Sequence, residues 1–476
     1  MDDKFRLFCS FEKDKNLFSR TYLGSPYWQS IRMAFSRSIL LENKLEAKKH
    51  ILSERLLIGL MLCKDSIIDI LKYLHLSRCD ILYFDECAYR IVDGKTVDPY
   101  FDYFGFEKKY KVQRCFHIYN RQSNSSLKGI GTAIPKIEDY FLTLCSKVKI
   151  GIYRDKKEDE FLKQLARELE ETFHLGFEAK ELIQMVRRNV VLHKVYGRFY
   201  KRLLMKCRPR SIFVVAYYSS FLFPLYNVAR KCSIPVIEIQ HGLITNHDAY
   251  WYGDTSAIGK EVPSYLFSYG DFWNTHLNLP SIMRAVPIGN PFLEDRKAIY
   301  KNCVQDEKMM VFYSSIPANR EMEQLALDAW NYFGKRGYKI FFKIHPLEYE
   351  ERKKYYPRLM NFSGIQVVTP DKDLYELLGC AKHHITYAST VFYEAIIFDN
   401  NRYIFDLGSL CDNMQPLVEL KLAYKFKTIE ELNGLLNVSM GSTSDDVLKI
   451  WKPEAEKNGL VKLREIMDER AYKEKR

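Results

Sequence analysis

An alternation constrains this chain more than any single residue does. Short apolar runs recur along it, each separated from the next by a stretch with helical spacing. From residue 211 they read "SIFVVAYY" (211–218), a helical stretch at 221–233, "PVIEIQHG" (235–242), "SYLFSYG" (264–270) and "AVPIGNPFLED" (285–295). The pattern restarts with "MMVFYSS" (309–315), a helix around 319–336, "YKIFFKIHP" (338–346) and "IQVVT" (365–369). A helix at 373–382, "HHITYAS" (383–389), the helix "VFYEAIIFD" and "RYIFDL" (402–407) complete it. Near-continuous apolar strands alternating with helices imply parallel sheets covered on both faces. The expected fold class is α/β, with two doubly wound units.

Two units also suit the length, because 476 residues exceed what one ordinary core organises. The expected division is an N-terminal domain over 1–295, a second over 296–435 and a helical segment over 436–476, with 296–307 as the connection. The first 80 residues have mostly helical periodicity, so two or three helices precede the first sheet. "DILYFDE" (80–86) reads as a strand, and Asp93-Gly94 centres a hairpin. "KVKIGIY" (147–153) reads as another strand, with helices following at 157–173 and about 179–205.

The basic surplus, 72 Lys and Arg against 60 acidic residues, fits an anionic lipid surface, a phosphorylated substrate or nucleic acid. No nucleic-acid-binding signature accompanies it, so nucleic acid is not the expected partner. The N-terminus does not read as a signal peptide, and no window approaches the length of a membrane span. Eleven scattered cysteines without CxxC pairs fit a reducing, cytoplasmic setting, with Cys232 and Cys380 as small core residues. No His or Cys grouping has metal-ligand spacing, so no metal site is expected.

Chemistry in open parallel sheets sits beyond the carboxyl ends of the strands. His241 and Gly242 end one such strand; the imidazole can donate to a phosphate or exchange a proton, and the glycine lets backbone approach a ligand. Lys343 and His345 end another, and strand alternation would aim them together at a phosphate. Ser389 and Thr390 open the next helix, where hydroxyls and free amides suit an anion, and Glu394 one turn on can accept from a ribose diol. Asn290 lies in the Gly-Asn-Pro turn after a fourth strand. Taken singly, each has an ordinary structural explanation; their shared placement at strand ends favours a site. No GxGxxG, GxxxxGK[ST] or GxSxG motif is present, which argues against a dinucleotide cofactor, a P-loop and a hydrolase elbow.

"QHG", "IGNP", "KIHP" and "STVFYEA", in this order over about 211–407, resemble the bacterial capsule and cell-wall polymer glycosyltransferases of the GT-B fold. That group includes CDP-glycerol glycerophosphotransferases, Kdo transferases and polysialyltransferases. The resemblance implies two Rossmann-like domains facing a cleft, with extra N-terminal helices here. It implies Lys343, His345, Ser389 and Thr390 at the donor's phosphates, Glu394 near the ribose, and His241 facing the cleft from the N-terminal side.

The expected function is transfer of a sugar or polyol phosphate from a nucleotide-activated donor, CMP- or CDP-linked, to a glycan or lipid-linked acceptor. The donor is a substrate, and no cofactor is expected. His241, Asp85 and Glu86 are the candidate catalytic residues, Asp85 because it ends a strand. Lys343, His345, Ser389, Thr390, Glu394, Gly242 and Asn290 are the candidate nucleotide-binding residues. The inner leaflet is a candidate contact surface, and the final "LVKLREIMDERAYKEKR" suits either lying on it or packing across the domains. A sugar-nucleotide 2-epimerase and a non-catalytic glycan-binding partner are the alternatives.

Overall fold

A computed structural model describes residues 3–40, 76–85, 90–92, 94–116, 154–219, 221–244, 248–253, 261–315, 318–369, 372–408, 413–438 and 444–474. Glu86, Asp93 and the strand expected at 147–153 lie outside these residues.

The chain opens with helix α1 (Asp3–Asp14), a hairpin of β1 (Thr21–Tyr22) and β2 (Ser25–Pro26), and helix α2 (Trp28–Leu40). Helix α3 (Lys156–Phe173) joins them, its first turn capped by the Asp155 carboxylate, which accepts from Glu158 N at 3.2 Å. The long helix α4 (Ala179–Cys207) ties this unit to the rest. Its first half buries Leu182, Val186 and Val190 against Phe8, Trp28 and Leu165, and its second half packs Tyr196, Tyr200 and Leu203 onto the first sheet. The seam between α1 and α2 is held by an ion pair with both partners buried, Arg32 to Glu12 at 2.7 Å.

The first sheet comprises β3 (Ile81–Asp85), β6 (Val112–Phe116), β7 (Ser211–Val215), β8 (Val236–Ile239), β9 (Tyr265–Ser268) and β10 (Arg284–Pro287). Its spatial order is β10-β9-β8-β7-β3-β6, parallel throughout. A small antiparallel ribbon, β4 (Arg90–Val92) with β5 (Lys95–Val97), follows β3. The second sheet holds β11 (Asp306–Tyr313), β12 (Lys339–Lys343), β13 (Gln366–Val368), β14 (Ala381–Thr386), β15 (Asn401–Phe405) and β16 (Tyr424–Phe426). Its order is β13-β12-β11-β14-β15-β16, again parallel. The order in which strands are added reverses once in each sheet, between β3 and β7 in the first and between β11 and β14 in the second, and such switch points open ligand crevices. Every residue of β3, β7 and β8 is buried, as strands covered on both faces must be. The architecture is the expected two Rossmann-like α/β units with additional N-terminal helices.

Several local expectations change. The stretch read as a connector at 296–307 begins inside a helix and ends inside a strand: α5 (Pro291–Tyr300) is capped by Asn290, whose side chain accepts from Leu293 N at 3.1 Å, and β11 starts at Asp306. Cys380 is not an isolated core residue but pairs with Cys303, their Cα atoms 5.5 Å apart, and Cys232 is exposed. A partner 77 residues away leaves no local spacing to read.

Helix α6 (Asn319–Phe333) covers the second sheet, and α7 (Ser444–Ile450) leads into the C-terminal helix α8 (Ala455–Glu474), which returns to the first sheet. Leu463, Ile466 and Met467 of α8 are buried in one cluster with Ile81, Tyr83 and Phe213. That apolar face is used inside the fold, packed on the first sheet, in line with the packing reading of this segment. Among the described residues no helix is long and apolar enough to cross one.

The return explains two glycines at strand ends. A Cβ on Gly270, just after β9, would stand 2.2 Å from the Lys449 carbonyl oxygen. One on Gly289, after β10, would stand 2.2 Å from that of Lys452 and 2.7 Å from Ala455 Cβ. Gly289 also has φ +106°, a strained angle for any other residue. Gly289→Ala should therefore cost at least ~2 kcal/mol of unfolding free energy in denaturant titration. An unchanged midpoint would contradict the close passage of the C-terminal segment.

Candidate active site

One cavity of about 240 Å³ is bounded by residues that follow carboxyl ends in both sheets. From the first sheet come His241 and Gly242 after β8, Tyr269 after β9 and Asn290 after β10; from the second come Thr390 and Glu394 after β14. Five of the candidate residues thus share one space, although Asn290, Thr390 and Glu394 lie 48 or more positions beyond Gly242.

The local chemistry shows why "IQHG" folds as it does. Gln240 is fully buried, and its side chain ties the turn together: Nε2 donates to the Gly242 carbonyl at 2.8 Å, and Oε1 accepts from Tyr269 N at 2.9 Å. His241 is half-buried, sharing a 3.0 Å hydrogen bond between Nε2 and the Tyr218 hydroxyl, with the Tyr100 ring edge-on to it. Nothing lies within 4 Å of a Cβ built on Gly242, so that position leaves the cavity open.

Two short helices supply the facing side of the cavity. Helix Leu374–Cys380 carries Tyr375, and helix Val391–Ala395 carries Glu394. The Tyr375 hydroxyl donates to Glu394 Oε2 and accepts from Arg90 Nη1 at 2.6 Å. Burial, then the adjacent Glu394 charge, holds the Tyr375 phenol well above its ordinary pKa, so it keeps the proton it donates. The chain Arg90–Tyr375–Glu394 consequently joins the β4–β5 ribbon of the first half to the second. Trp273 and Trp451 close the cavity's other wall, Trp451 Nε1 donating to the Tyr393 carbonyl at 2.8 Å and Trp273 Nε1 to that of Ile450 at 2.7 Å.

The other candidates lie elsewhere. Lys343 is buried, and its Nζ donates to the Thr369 carbonyl at 3.0 Å, whereas His345 is exposed. Strand β12 ends at Lys343, so the alternation expected to aim the two side chains together stops before it reaches His345. Neither lines the cavity, and neither does Ser389. Neither Ser389 nor Thr390 caps the following helix as expected: its N-cap Thr390 makes no side-chain capping bond. Instead Ser389 N donates to Thr386 Oγ1 at 3.1 Å, and Ala388 N to Ser315 Oγ at 3.1 Å. These hydroxyls hold the loop at the second sheet's switch point.

Asp85 does end β3, but it is buried and stands 3.7 Å from Arg114 Nη1, outside the cavity lining. Asp98 shares that arginine, and burial together with the Asp85 charge pushes its carboxyl up to about 7. Arg114 also pairs with Asp102 and Glu107, so this cluster is a compensated internal network. Glu86 lies outside the described residues. Sequence reasoning missed Arg90, Tyr375, Trp273 and Trp451 in the cavity. Only the hairpin signal at Asp93-Gly94 pointed near any of them.

No protein-family model and no curated protein sequence matches the chain. Solved structures similar to it include a UDP-GlcNAc 2-epimerase from Neisseria meningitidis bound to UDP-GlcNAc, at 10% identity and a TM-score of 0.46, covering 81% of this chain and 99% of that one. MurG from Acinetobacter baumannii is similar at 12% identity and a TM-score of 0.44, again covering 81% and 99%. The UDP-GlcNAc 2-epimerase of Methanocaldococcus jannaschii in complex with UDP-GlcNAc and UDP follows at 13% identity and a TM-score of 0.42, covering 80% and 98%. At these values the similarities carry no argument about chemistry. The two parallel sheets and the cavity between them make the chain a two-domain α/β protein of GT-B-like form.

Proposed function

We propose that the chain transfers a sugar or polyol phosphate from a nucleotide-activated donor, CMP- or CDP-linked in the first instance, to a glycan or lipid-linked acceptor of a surface polysaccharide. The observation carrying this reading is the cavity that His241, Gly242 and Asn290 of one half form with Thr390 and Glu394 of the other. Glu394 is an acceptor suited to a ribose diol. His241, oriented by Tyr218, offers an imidazole for the acceptor hydroxyl or the leaving phosphate. At about 240 Å³ the space is below the usual range for ligand pockets, roughly 300–1,000 Å³, so admitting a donor would require it to widen. Preorganised protein donors would meet the charge developing on the leaving group.

Epimerisation would call for several acidic groups, whereas Glu394 is the one carboxylate in the cavity lining among the described residues. The test is release of free nucleotide from sugar nucleotides with and without a glycan acceptor. Acceptor-dependent release supports transfer. Interconversion of sugar epimers without release supports the epimerase, and neither activity supports a binding partner.

The membrane contact, if the acceptor is lipid-linked, is best placed at a groove lined by Lys194, Arg198, Lys201 and Lys231. Arg198, Lys201 and Lys231 form no ion pair among the described residues. Reversing these three charges should lower sedimentation with anionic phospholipid vesicles at least ~tenfold, given about 1 kcal/mol per cation. Equal binding of the parent protein to neutral and anionic vesicles would remove this contact.

A further inference from the structure

We propose that Arg90 is the cation that the first half lends to the donor's phosphates, held on Tyr375 in this structure and transferred to a diphosphate when a donor enters. This rests on the reading of the cavity as a nucleotide site. Its grounds are placement, incomplete pairing and orientation.

Arg90 begins the β4–β5 ribbon and lines the same cavity as His241, Asn290 and Thr390. Guanidinium groups withdrawn from water are stable only when well paired. Yet the hydrogen-bond partner of Arg90 is a neutral phenol, Tyr375, and Glu394 is reached only through that hydroxyl. Among the described residues Arg90 has no direct carboxylate partner, and the Tyr375 contact uses one of its five N–H groups. The guanidinium lies 5.2 Å from the Phe292 ring centre and 5.8 Å from that of Tyr375, so aromatic faces fix its position while leaving its donor edges unfilled. A phosphate offers what the phenol does not: negative charge and two acceptors matching the fork, in hydrogen bonds about twice as strong as neutral ones. Moving Arg90 from Tyr375 to a phosphate would also release Tyr375 and Glu394 for the rest of the nucleotide. Arg90 is thus at once the link between the halves and the group that a donor recruits.

A purely structural latch predicts something different, and calorimetric titration separates the two. The parent protein, Arg90→Gln and Arg90→Lys are titrated with CDP and UDP, and with cytidine and uridine. Arg90→Gln should weaken diphosphate binding roughly 10- to 100-fold and leave nucleoside affinity within about twofold. Arg90→Lys, which keeps charge and loses the fork, should fall between. Equal weakening of nucleosides and diphosphates, or no weakening of either, would overturn the proposal while leaving a nucleotide site in place. Failure of the parent protein to bind any of the four would remove the nucleotide reading and this inference with it.

Discussion

His241→Ala should lower turnover on the order of 10²- to 10³-fold, the usual cost of losing a preorganised donor. Nucleotide affinity should stay within about tenfold, or about 1.4 kcal/mol, because Arg90, Thr390 and Glu394 line the same cavity and remain to hold the nucleotide. The imidazole is well placed for such a separation. It lines the cavity, its ring is set by the Tyr218 hydroxyl at 3.0 Å, and Gln240 beneath it fixes the turn it stands on. Loss of nucleotide binding in parallel with turnover would make His241 a binding residue. Unchanged turnover would make it an ordinary strand-end histidine.

Glu238→Gln should stabilise the protein above pH 8 and change little below pH 4.5. Glu238 is fully buried in β8, and burial pushes its carboxyl from 4.5 up to about 8. Its Oε1 accepts from Tyr217 N at 3.2 Å and from the Tyr250 hydroxyl at 2.7 Å, while Oε2 has no hydrogen-bond partner among the described residues. The folded pKa exceeds the unfolded one, so the protonated carboxyl's contribution is fully present below about 4.5 and is lost as pH rises through about 8. Over that interval, at about 1.4 kcal/mol per pH unit, the loss is on the order of 5 kcal/mol. Glutamine keeps the two accepted bonds and cannot ionise. Glu261, which burial also raises to about 8, has the same sign and remains in the variant, so some slope persists. Thermal midpoints at acid and alkaline pH measure the difference. An equal shift at both, or a loss at alkaline pH, would contradict a buried neutral carboxyl.

The fold was legible because its strongest signal is repeated. Apolar runs such as "SIFVV" and "YIF" need helices on both faces, and that alone leads to two parallel sheets. The strand-end rule then located His241, Gly242, Asn290, Thr390 and Glu394, which do meet. It failed for Lys343 and His345, because alternation predicts direction only while the strand lasts, and β12 stops at Lys343. It misjudged Asp85, since nothing near "YFDE" reveals Arg114 on the neighbouring strand β6. Arg90 and Tyr375 were invisible for the same reason: their meeting depends on how the two halves face one another, across 285 residues. Gly270 read as a strand end and Gly289 as part of a turn, yet the C-terminal backbone crossing them sets their size.

The central claim is that this cavity binds a nucleotide, and a thermal-shift panel of CMP, CDP, UDP and GDP tests it most directly. Saturation at 100 times Kd stabilises a protein by about 2.7 kcal/mol. A concentration-dependent rise is predicted with a pyrimidine nucleotide, and it should be sharply reduced in Glu394→Gln. A panel without any shift, or a shift that survives unchanged in Glu394→Gln, would contradict the account.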